Sequence, residues 1–120
     1  MPITMQHESA NIYRLDLTGR LGKADFDRCQ ESLASEVRRI GRVRLLVVLS
    51  QFEGWERNPD WADLSFYVAH GDSIERIAIA GEDRWRTETL MFASADLRRA
   101  PVEFFSSDDA LAEARAWLAA

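Results

Sequence analysis

From Leu45 to Leu49 the chain runs through Leu and Val without a polar residue, inside Arg42–Ser50, which reads RVRLLVVLS. The run is far shorter than the roughly 20 residues of a membrane helix. It is also too β-branched to favour a helix, and it reads as a strand buried on both faces. Other segments fall around it. Residues 3–8 and 12–17 are two strands joined across the polar Ser9-Ala10-Asn11, an antiparallel hairpin closed by Thr18-Gly19. In Asp25 to Ile40 the apolar positions Phe26, Cys29, Leu33, Val37 and Ile40 form one helical stripe, with acids early and Arg38 and Arg39 late. Gly41 stops that helix. Asn58-Pro59 opens a second helix that carries Trp61, Leu64 or Ser65, and Val68 inward and ends at His70-Gly71-Asp72. Ile74 to Ala80 is a further buried strand. Asp83 caps a third helix to about residue 95, with Trp85, Thr89 and Phe92 inward. Val102 to Phe105 is a short last strand. Ser106-Ser107-Asp108-Asp109 starts a final helix with Leu111, Ala114 and Leu118 facing in and Trp117 beside them.

The resulting order is β-β-α-β-α-β-α-β-α. It predicts one α/β domain over residues 1–120, a mostly parallel sheet with an antiparallel edge hairpin and helices on its faces. The length suits one domain, and a hydrophobic share of 47% suffices for one core. The net charge of -5 speaks against general nucleic-acid binding, which wants a basic footprint. One cysteine, Cys29, allows no intramolecular disulfide and suits a reducing cytoplasm. The first residues lack the basic and apolar segments of a signal peptide, so any membrane contact is expected to be peripheral.

Two aromatics, Phe52 and Trp55, follow the central strand at its carboxyl end, where open α/β sheets place ligand crevices. Trp85 leaves the next buried strand in the same way, and Trp61 and Phe66 sit on the helix between them. These five either plug the end of a small core, the commoner arrangement, or line an apolar pocket for a small molecule. If the second helix moves off the sheet, the same surface could enter a membrane interface. Arg84 and Arg86 flank Trp85, and Arg57 follows Trp55. They could hold an anionic head group, or simply pair with Glu53, Glu56, Glu82 and Glu88. Glu53, Glu56, Asp60 and Asp63 match no metal-loop spacing, so no metal or other cofactor is expected. His7, His70 and Cys29 come without a G-x-S-x-G elbow, and Gly19 and Gly22 make too little of a phosphate loop.

The segments LLVVLSQFEGW, ERIAIAGEDRW (Glu75 to Trp85) and Val102-Glu103-Phe104-Phe105 followed by DDALAEARAWL, in this element order, resemble the SpoIIAA-like family. That family is related to STAS domains and is described alongside the SEC14 (CRAL-TRIO) lipid-transfer fold. The resemblance implies a non-enzymatic domain. STAS-type anti-sigma antagonists carry a phosphorylatable serine in an Asp-Ser pair after the third strand. Here Gln51-Phe52-Glu53-Gly54 occupies that neighbourhood, and no Asp precedes Ser50, so the phosphoswitch does not carry over. The expectation is therefore a binding module for an apolar or amphipathic, lipid-like molecule, with Phe52, Trp55, Trp61, Phe66, Trp85 and Arg84 as ligand residues. Peripheral membrane association and a homodimer are further implications. The alternative is a STAS-type protein-interaction or regulatory module.

Overall fold

The apolar runs become strands of one sheet in the computed structural model, which describes residues 2–57, 71–93 and 99–120. The strands are β1 (Ile3–Ser9), β2 (Ile12–Leu21), β3 (Val43–Trp55), β4 (Ile74–Ala80) and β5 (Val102–Phe105), side by side in that order. β1 runs antiparallel to β2, and every other pair is parallel. Helix α1 (Lys23–Ile40) crosses from β2 to β3, α2 (Arg86–Phe92) lies between β4 and β5, and α3 (Ala110–Ala119) follows β5. The second helix expected from Asn58 lies outside the described residues, as do Trp61 and Phe66.

The central strand is buried on both faces, as its composition demands. Val43, Leu45 and Leu49 join Leu33 and Val37 of α1 in one core, with Phe26, Cys29, Leu90 and Phe92 packed against it. Leu46 and Val48 face the other way, onto Ala114 and Leu118 of α3, both fully buried. Full burial of a Leu or Val stabilises by about 1.5–3 kcal/mol, so the paired layers account for why both helices dock. Arginines hold α3 in place. Arg44 donates to the carbonyls of Leu118 and, at 3.1 Å, Ala120; Arg76 donates to that of Trp117 at 2.6 Å and lies over its ring. Cations here meet the negative end of the helix dipole.

Several expected boundaries move. The hairpin does not close at Thr18-Gly19: β2 continues to Leu21 because β3 extends alongside it to Trp55. Helix α1 starts at Lys23, and its amide is capped from across the fold, by Glu56 Oε1 at 2.7 Å. Ile40 is 37% exposed rather than buried, since it lies in the last turn beside exposed Arg39 and Gly41. Asp83 caps no helix: residues Asp83–Trp85 form a 3-10 turn, and the Asp83 carboxylate takes Arg86 Nε at 2.8 Å. Helix α3 begins at Ala110, past the serines. Ser107 still anchors the turn, accepting the Asp109 amide at 3.2 Å and donating to Glu113.

Candidate functional site

Two extra residues in β3 create the site. Thr18 pairs with Ser50, but Gly19 then pairs with Phe52, and Arg20 with Gly54. Gln51 and Glu53 are each left over, and Gln51 takes a left-handed φ of +51°. In a parallel pair, partners point to the same face. A regular strand would put Phe52 opposite Arg20 and aim it at the α3 side. The first bulge returns it to the α1 side, and the second brings Trp55 opposite Leu21, whose side chain is fully buried on that side.

The rings then cluster. Phe52 meets Trp55 and Trp85 edge-on, each at 5.0 Å between centroids, and the two indoles cross at 6.1 Å. Trp55 also lies 5.1 Å from Phe92, which meets Phe26 of α1 at 5.0 Å. Edge-to-face pairs of this kind add about 0.5–1.5 kcal/mol beyond burial.

Beneath the cluster, between α1, α2 and the sheet, is a cavity of about 110 Å³. Its described lining includes Leu17, Phe26, Leu33, Trp55, Ile77 and Phe92, and none of its described residues is charged. The polar groups in that lining come from Cys29, Gln30 and Thr89 besides the Trp55 indole. Burial pushes the Cys29 thiol up to about 11, so it stays protonated at neutral pH. Three buried polar atoms around this cluster have no hydrogen-bond partner among the described residues: Trp55 Nε1, Trp85 Nε1 and Thr89 Oγ1. Most buried polar atoms are paired, so three orphans in one place require an explanation.

The structure distributes the expected ligand residues unevenly. Trp55 lines the cavity. Trp85 stands behind it, outside the described lining, and Phe52 is 1% exposed in the core. Arg84 is on the surface, over the Trp85 ring at 5.0 Å and 3.5 Å from Glu82. Arg86 reaches Asp83, the Phe104 carbonyl at 3.3 Å and Ser106 at 3.1 Å. Phe26, Cys29 and Phe92 also border the cavity; in the sequence they are indistinguishable from ordinary core positions. Thr89 is inward as expected, but nothing in the sequence marks its hydroxyl as unpaired.

At the other end of α1, the Tyr13 hydroxyl donates to Glu36 at 2.8 Å, Arg39 donates to Glu36 at 2.9 Å, and His7 stacks on the Tyr13 ring. Bonds from Arg39 and then Tyr13 hold the Glu36 carboxyl below its ordinary range. Burial, then the bond to Glu36, raises Tyr13. Among the described residues no three metal-binding side chains gather, and no helix is long and apolar enough to cross a membrane.

No curated protein matches the chain. Among solved structures, an uncharacterised protein from Shewanella loihica PV-4 with a SpoIIAA-like fold aligns over 97% of this chain and 91% of its own, with a TM-score of 0.72 and 19% identity. That likeness shows the fold. The SpoIIAA-like family model matches residues 12–119, which hold four of the five described strands and the three described helices, and by that match the chain belongs to the SpoIIAA-like family.

Proposed function

We propose that this domain is a non-enzymatic binding module that takes an apolar small molecule into the cavity between α1, α2 and the sheet. The observation that carries this reading is the cavity itself: about 110 Å³, with no charged side chain in its described lining. Interiors pack at about 0.74 density with few voids larger than a water, so a cavity of this size is unusual in a small core. It is somewhat smaller than the ~150 Å³ engineered apolar cavity that holds benzene. Native mass spectrometry on protein purified without detergent tests the reading. A mass excess that denaturation releases, and that Trp55→Ala loses at a temperature where the variant is folded, supports it. Retention unchanged in Trp55→Ala overturns it.

A second reading, an interaction module that pairs with another copy, is favoured by one observation. β1 forms an edge of the sheet and pairs on one side alone among the described strands. Such an edge can template strand addition. Light scattering after gel filtration tests it: the Met5 amide points away from β2 to the open edge, so a dimer that Met5→Pro dissociates supports edge pairing, and a monomer at all concentrations contradicts it.

A further inference from the structure

We infer that Arg86 closes one edge of the sheet to strand pairing, and so holds self-association at a two-fold dimer through β1. This rests on the edge-pairing reading above. Among the described strands the sheet has two edges, β1 and β5. The ladders show which groups each edge turns outward. The Pro2 carbonyl accepts the Thr18 amide at 2.9 Å, so Pro2 faces β2, and by alternation so do Thr4 and Gln6. Ile3, Met5 and His7 then present their amides and carbonyls to the open side. On β5 the carbonyls of Pro101 and Phe105 accept the Ile77 and Gly81 amides, each at 3.1 Å. Val102 and Phe104 are therefore the residues turned outward.

The two edges are finished differently. β5 is four residues long, and its outward Phe104 carbonyl is already taken by Arg86 Nη1 at 3.3 Å. The guanidinium is held there by its other nitrogens, Nε on Asp83 at 2.8 Å and Nη2 on Ser106 Oγ at 3.1 Å, with Cζ 4.9 Å from the Phe104 ring centroid. A strand added to β5 would have to displace this cation, and only Val102 would be left to pair undisturbed. On β1 no described side chain bonds an outward backbone group, and Ile3–Ser9 contains neither proline nor lysine to discourage pairing. A two-fold axis at Met5 pairs all three outward residues antiparallel, with Ile3 against the partner's His7. Such a contact uses the same edge on both copies, so it stops at two as long as β5 stays closed. A second free edge would carry the assembly on into a filament.

Light scattering after gel filtration of the full chain, over a range of concentrations, compares the parent with Arg86→Ala. The parent is expected to be a dimer, and Arg86→Ala to show a mass that climbs past the dimer as concentration rises. Adding Val102→Pro removes an outward amide of β5 and no bond to β4, so it should return Arg86→Ala to the dimer. Should Arg86→Ala not fold, Arg86→Gln, which keeps part of the stem but is too short to hold the Phe104 carbonyl, carries the same expectation. A variant that stays dimeric at every concentration, or assemblies that survive Val102→Pro, overturn the role of Arg86 and leave the β1 reading intact. A monomeric parent defeats the β1 reading instead. Arg86 as the closure of β5 is then supported if Arg86→Ala associates and Val102→Pro abolishes it, and overturned if Arg86→Ala stays monomeric.

Discussion

The indole Cη2 of Trp85 stands 3.4 Å from where a Cβ on Gly54 would be, and Gly54 holds φ at +99°. The second bulge of β3 thus ends on a residue whose conformation disfavours a side chain and whose open face seats a tryptophan. Gly54→Ala should cost about 1–2 kcal/mol from the left-handed backbone alone. Urea unfolding followed by Trp fluorescence measures it. A neutral substitution would mean that the bulge relaxes without loss.

Gly81 makes the opposite case, closeness without a positive φ. A Cβ there would lie 2.8 Å from Leu49 Cβ, an atom of the central strand that cannot swing away. Gly81→Ala should destabilise by about 1–3 kcal/mol, the range for overpacking. Leu49→Ala keeps that Cβ but removes Cδ1 and Cγ, which would lie 2.9 and 3.0 Å away, so the two substitutions together should cost less than their sum. Strict additivity would contradict a contribution from those two atoms.

Most of the sheet was legible in the sequence because β-branched runs and helical stripes announce themselves. Ile74 to Ala80 and Val102 to Phe105 fall where the pattern puts them. The extension of β3 through Trp55 was not legible. It depends on Gln51 and Glu53 slipping out of register against β2, and a register is a relation between two strands, absent from either strand read singly. For the same reason Phe52, read as leaving the strand, is a core residue within it. Trp55 was recognisable as a candidate, whereas the cavity beside it was not. A void has no residue of its own, and Phe26, Cys29 and Phe92 look the same on an apolar stripe whether they fill space or border it.

Phe52 serves the site by packing behind it, at 1% exposure between two indoles. Phe52→Ala should cost about 3–5 kcal/mol in unfolding free energy. A loss below about 1 kcal/mol would show that the ring is not part of the closed core.

Thr89 is expected to behave inversely. Replacing an unpaired buried hydroxyl by a methyl removes a desolvation cost, so Thr89→Val should raise stability by about 1 kcal/mol. That corresponds to about 3–5 °C in Tm for a domain of this size. A fall in Tm would reveal a partner for the hydroxyl.

Glu36 gives a pH signature. Its carboxyl is held below its ordinary value in the fold, first by Arg39 and then by Tyr13. A depressed acid contributes stability above its unfolded value, about 4.3, and loses it as pH falls through the folded value. The urea-midpoint gap between the parent and Glu36→Gln should therefore narrow steadily below about pH 4.3. A gap constant down to pH 3 would contradict the pairing.

Cys29, the single cysteine and part of the cavity lining, offers the most direct measurement of whether that cavity receives a ligand. Its raised pKa makes the native thiol slow to react at neutral pH. The quantity to measure is its modification rate by a thiol reagent as cyclohexanone or methylenecyclohexane is added. Occupancy should slow the reaction in step with saturation, by about tenfold at nine times the Kd, because the ligand must leave before the thiol is exposed. A rate that does not change while either probe saturates its binding signal would place the ligand elsewhere and contradict the cavity as the binding site.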